Sequence, residues 1–137
     1  MPEDFRTTKW LAEKSGLPEA RFRFYSQADE LVVASMSRGI LFLFAFWSGA
    51  SHVVFKRLTK TVGELDPRRR LDFVVVDIDG ASRICEAPEF LGRVHGNGEA
   101  AWIRDGRIEA VSCFENSKDR AEDFEAFTKR LLADSGV

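Results

Sequence analysis

An unbroken apolar run, Ile40-Leu41-Phe42-Leu43-Phe44-Ala45-Phe46, constrains this chain more than any other stretch. A strand sends successive side chains to opposite faces, so a run apolar at every position needs cover on both sides. It is too short to span a bilayer as a helix. The simplest reading is the central strand of a sheet flanked by helices. Trp47-Ser48-Gly49-Ala50-Ser51-His52 follows at once, and Val53 to Leu65 is then amphipathic. Val54, Leu58, Val62 and Leu65 recur at helical spacing, with Lys56, Arg57, Lys60 and Glu64 mostly outward. A buried strand therefore runs through a short turn into a helix.

The flanking sequence supplies partners for that strand. Phe5 to Ser15 reads as a helix stopped by Ser15-Gly16-Leu17-Pro18. Arg21-Phe22-Arg23-Phe24-Tyr25-Ser26 alternates as a half-buried strand whose arginines suit an edge or a solvated face. Gln27 to Ser37 reads as a helix offering Leu31, Val32 and Met36 for burial. Asp66-Pro67 ends the long helix, and Arg68-Arg69-Arg70 reads as a solvated loop. Leu71 to Ile78, with Phe73-Val74-Val75-Val76, is a second central strand. Ser82 to Val94 is expected to be helical, interrupted or kinked at Pro88.

After the flexible connection His95-Gly96-Asn97-Gly98, two short strands flank Asp105-Gly106, a strong hairpin signal. Asp119 to Ala133 closes the chain as an amphipathic helix with Phe124, Phe127 and Leu131 on one face, Ser117 as its cap and Gly136 beyond.

Length and charge limit the functions. A chain of 137 residues suits one domain, with residues 1–20 as a helical extension and 21–132 as the core. A net charge of −2 gives no general attraction to nucleic acid or acidic membrane. Thr7 to Leu17 looks like the start of a helix-turn-helix, but the strand pattern that follows leaves no third helix. Met1-Pro2-Glu3-Asp4-Phe5-Arg6 lacks the apolar core of a signal peptide, so a cytoplasmic setting is expected. Cys85 and Cys113 match neither a CxxC pair nor, with His52 and His95, a metal-ligand spacing. No metal or other cofactor is expected.

The turn resembles the active-site motif of the thioredoxin family, Trp-Cys-Gly-Pro-Cys followed by a basic residue. Trp47 and Gly49 stand in place, Ser48 and Ser51 occupy the two cysteine positions, and Ala50 replaces the proline. Val76-Asp77-Ile78-Asp79 looks like the family's Val-Asp-Val-Asp strand end. The family's Gly-x-Pro-Thr, with a cis proline, falls on Gly96-Asn97-Gly98-Glu99, eight residues ahead of the hairpin glycine Gly106. Phe42 occupies the place of a buried Asp that assists proton transfer in the family. The resemblance implies an α/β thioredoxin-like three-layer sandwich, a mixed sheet flanked by helices with an extra N-terminal helix.

The departures change what the resemblance implies about activity. Thiol–disulfide exchange needs an attacking thiolate and a resolving thiol. A serine offers neither, and Ser48 reads more simply as the cap of the following helix. The expectation is a non-catalytic protein-binding or regulatory domain. Its groove would have Trp47, Ser48, Gly49, Ala50, Ser51 and His52 on one wall and Asn97, Gly98 and Glu99 on the other. The partner would be another protein or a second copy of this chain. Glycine in place of cis proline should leave the second wall more mobile. Two alternatives remain: a single-cysteine thiol enzyme using Cys85 or Cys113, and a small-anion site at the helix N-terminus near Ser48. Adjacent Ser51 and His52 diverge and make a poor nucleophile–base pair.

Overall fold

The computed structural model describes residues 8–113 and 120–133. The apolar run becomes β2 (Arg38–Phe44), two residues earlier than its sequence limits; Ala45 and Phe46 lie past the last ladder pair but stay buried. One sheet has the order β1-β3-β2-β4-β5, with β1 at Arg23–Tyr25, β3 at Asp72–Asp77, β4 at Ala100–Arg104 and β5 at Arg107–Ser112. β1, β3 and β2 are mutually parallel, while β4 runs antiparallel to both β2 and β5. β2 is central, as its composition required.

Strand alternation builds two cores. Ile40, Phe42, Phe44, Phe73, Val75 and Trp102 face one way, against α1 (Thr8–Ser15), α3 (Gly49–Leu65) and α5 (Arg120–Ala133). Leu41, Leu43, Val74, Val76 and Ile103 face the other way, against α2 (Glu30–Ala34) and α4 (Ser82–Cys85). Each large apolar side chain buried in this way contributes about 1.5–3 kcal/mol by leaving water. The result is the three-layer α/β sandwich expected, with α1 as the additional helix.

The hairpin turn uses Asp105 and Gly106, both at positive φ (52° and 75°), the pairing that lets a two-residue loop follow strand twist. Trp102 ties it to α5 by donating from Nε1 to Thr128 Oγ1 at 3.0 Å.

Three expectations need correction. The helix read over Gln27 to Ser37 shrinks to the five residues of α2, capped by Asp29, whose carboxylate accepts from Leu31 N–H at 2.9 Å. So short a helix has one inward edge, which Val33 takes, and Leu31 is left 69% exposed. The helix over Ser82 to Val94 stops at Cys85, ahead of Pro88. α3 begins at Gly49, directly after Ser48 where the helix start is expected, and the amphipathic stretch from Val53 is its continuation.

Arg21 is neither in the strand nor solvated. It closes a one-turn 3-10 helix, Glu19–Arg21, with a buried guanidinium. Nη2 pairs with Asp66 Oδ2 at 3.1 Å and Nη1 donates to Leu71 O at 2.9 Å. Asp66 also accepts from the backbone N–H of Arg70 (2.8 Å) and Leu71 (2.9 Å). Arg21 Nε is buried without a hydrogen-bond partner among the described residues, and burial pushes the guanidinium down although Asp66 raises it. Phe5, Ser117, Asp119 and Gly136 lie outside the described residues.

Candidate functional site

Ser48 sits immediately before α3 with extended backbone (φ −113°, ψ 121°), so strand, turn and helix meet where the motif implied. Its hydroxyl makes no capping hydrogen bond, contrary to the capping expectation. Ser51 takes the anchoring role. Fully buried, its Oγ accepts from Ala45 N–H at 3.0 Å and ties the first turn of α3 to the end of β2. His52 turns elsewhere: Nε2 lies 2.9 Å from Phe46 O, and the ring packs edge-on against Phe44 and Trp10. Ser51 and His52 therefore diverge, as expected of neighbours on a helix.

Trp47 is 64% exposed, too open to serve mainly as a lid on the core. Its Nε1 donates to Asp79 Oδ1 at 3.3 Å, and Asp79 N–H in turn donates to Asp77 Oδ1 at 3.0 Å. The far edge of the indole rests on Gly96, where an added Cβ would come within 2.5 Å of Trp47 Cη2. The turn thus reaches the second wall directly. Ala50 and Val53, both exposed, continue an apolar strip along the first turns of α3.

The second wall is not the loose one expected. No cis peptide bond occurs among the described residues, and Gly98 has φ +76°. A Cβ at Gly98 would lie 2.6 Å from Val54 Cβ, so the backbone packs directly on α3. Two charged side chains hold the loop. Glu99 Oε2 accepts from the N–H of His95 (3.2 Å) and Asn97 (3.1 Å). Arg120 donates from Nη1 to Asn97 O at 2.7 Å and from Nη2 to Gly98 O at 2.6 Å, while Nε reaches Ser112 Oγ at 2.8 Å.

Glu99 is entirely buried, and its Oε1 has no hydrogen-bond partner among the described residues. Burial pushes the Arg120 guanidinium down, and the opposing charge of Glu99 raises it. Nothing in the spacing of the sequence pairs residue 99 with residue 120, and the roles of Arg120 and Asp79 could not be found there.

The nine residues assigned to the groove thus fall into two sets. Trp47, Ser48, Gly49, Ala50, His52 and Asn97 present at least part of their surface. Ser51, Gly98 and Glu99 are buried beneath them and shape the walls from within.

Phe42 is fully buried with its ring against Phe44 (5.3 Å) and Phe55 (5.4 Å), so hydrocarbon fills the position the resemblance gives to an acid. Neither cysteine is in a disulfide. Cys113 is fully buried. Cys85 is half-buried, and burial pushes its thiol up, helped by the negative charges of Glu99 and Glu86. Among the described residues, no group of three or more His, Cys, Asp or Glu could hold a metal ion, and no helix is long and apolar enough to cross a membrane.

No family profile matches the sequence, and no curated protein matches it. Solved structures do match in shape. Thioredoxin from Malassezia sympodialis superposes with a TM-score of 0.58 at 17% identity, over 79% of this chain and 91% of its own. Thioredoxin 2 from Pseudomonas aeruginosa gives 0.57 at 16% identity, over 79% and 96%. A chain from structural work on thiol resolution in yeast mitochondrial 1-Cys peroxiredoxin gives 0.55 at 20%, over 74% and 86%. The fold is thioredoxin-like; identities this low carry the fold and not the chemistry.

Proposed function

We propose that this chain is a non-catalytic thioredoxin-like domain that docks a protein partner at the Trp47 turn. The observation that carries the reading is the state of Trp47. A large aromatic side chain stands mostly in solvent, yet Asp79 and Gly96 hold it in one position. A pre-positioned aromatic loses little entropy on binding, which is why such residues dominate interface energetics.

The mode of docking follows from the second wall. Asn97 N–H and C=O, Gly98 C=O and Glu99 C=O are all engaged within the fold, the last by Leu43 N–H at 2.9 Å. Little backbone is left there to pair with an extended peptide as an added strand. Recognition therefore runs through Trp47 and the Ala50–Val53 strip. The first-turn N–H groups of α3, which the Ser48 hydroxyl does not cap, are available to an acceptor on the partner. The partner is a different protein or a second copy of this chain, and the setting is cytoplasmic.

Dithiol chemistry is absent from the proposal because both cysteine positions carry serine and Phe42 replaces the buried acid. A single-thiol enzyme fits less well, since Cys113 is inaccessible and the Cys85 thiol is held away from ionisation. Insulin reduction by dithiothreitol is the test: adding this protein should leave the rate unchanged. An acceleration that disappears in Cys85→Ala or Cys113→Ala would move the function to a single thiol.

A further inference from the structure

At the other end of β2 a second concavity opens between α2, α4 and the β4–β5 turn, enclosing about 490 Å3. The register separates it from the Trp47 turn: Arg38 of β2 pairs with Arg104 beside the hairpin, whereas Phe42 pairs with Ala100 near the turn motif. Roughly the length of a strand, 3.3 Å per residue, lies between them. The volume is within the ~300–1,000 Å3 range of small-molecule sites. Val33 and Ile84 rise into it from the core, Ala34 and Ile108 form its sides, and Leu31 stands exposed at its rim.

Its charges are what select a ligand. Arg83 is already paired with Glu30 at 3.1 Å, and Arg104 near the hairpin tip with Glu109 at 2.7 Å. Arg107, on the same rim, belongs to none of the ion pairs among the described residues. The turn just before it is held firmly: Asp105 N–H donates to Ser37 O at 2.6 Å and Gly106 N–H to Met36 O at 2.8 Å. A guanidinium on a fixed turn matches a carboxylate as a two-pronged donor. Glu89 also lines the groove and opposes any anion there, so the preference for a carboxylate rests on Arg107.

We propose that this groove binds a small amphiphile with an apolar body and one carboxylate, the body on Val33, Ile84 and Ile108 and the acid on Arg107. This site is independent of the docking role assigned to Trp47, and its failure would leave that role untouched.

The test is a 1H–15N titration with three probes of equal chain length: octanoate, 1-octanol and octylammonium. Octanoate should shift resonances in residues 30–34, 83–89 and 106–108 and bind about tenfold more tightly than octanol, the ratio one charge-assisted pair supplies. Arg107→Gln should lower octanoate to the level of octanol, and Ala34→Trp should block both while β2 resonances stay in place. The proposal is overturned if octanol or octylammonium binds the wild type as well as octanoate does. It is equally overturned if Arg107→Gln keeps full octanoate affinity, or if no shift appears in these segments at millimolar octanoate.

Discussion

Ser48 and Ser51 have the same side chain three residues apart, and the fold treats them oppositely. Ser48 is half-exposed with a hydroxyl that caps nothing; Ser51 is buried and receives the Ala45 N–H. Replacing Ser51 by Ala leaves a buried donor without its acceptor, which should cost about 1–3 kcal/mol. Ser48→Ala should cost under about 0.5 kcal/mol, as for surface changes generally. Urea unfolding of the two variants checks the contrast, and equal losses would show that the Ser51 hydrogen bond does not anchor the turn. The motif made the serine positions legible, but their burial depends on how α3 lies against β2.

Cys85 gives a pH signature at the same scale. Its folded thiol ionises above the ordinary value of 9.0, chiefly through burial and then through Glu99 and Glu86. Below that value both folded and unfolded chains keep the proton, and the thiol adds no pH dependence. Above it the unfolded chain releases the proton first, so stability falls as pH rises toward the folded value. Urea midpoints at pH 8 and 10 should therefore drop less in Cys85→Ala than in the wild type. Identical drops would contradict the shift.

Among the elements, the long strands and helices were legible because their burial patterns are strictly periodic. β2 and β3 are apolar on both faces, and α3 shows its inward positions at helical spacing. Short elements were not. α2 owes its limits to the Asp29 cap and to the hairpin tip beneath it, where Gly106 N–H bonds Met36 O. The loop over residues 95–99 is the clearest case. Glycines there suggest freedom, but at Gly98 the missing Cβ lets the chain press on Val54. Gly98→Ala should destabilise the fold by about 1–3 kcal/mol, from the positive φ and the contact together. Amide exchange at Asn97 and Ala100 should also speed up. Unchanged stability would mean that the loop has slack after all.

For the molecule as a whole, ties distant in sequence fix what periodicity could not show. Arg21 and Asp66 lock the N-terminal segment to the end of α3, and Glu99 with Arg120 locks the second wall to the start of α5. Sequence alone placed Arg21 on a solvated strand, because alternation records polarity but not a buried partner 45 residues away. The thioredoxin-like architecture is legible because strand order, the Trp47 turn, the Val76-Asp77-Ile78-Asp79 strand end and the Gly98-to-Gly106 spacing all agree. The proposed docking surface was only half legible, since three of its nine residues, Ser51, Gly98 and Glu99, lie buried beneath it.

One comparative capture tests the central claim most directly. Wild-type protein, the Cys85→Ala/Cys113→Ala double variant and Trp47→Ala, each confirmed folded by circular dichroism, are immobilised in native extract and their bound proteins quantified by mass spectrometry. A docking domain that works without sulfur should hold the same partner in the first two and lose it, by tenfold or more, in the third. A partner that departs with the cysteines, or stays when Trp47 is gone, would contradict the claim.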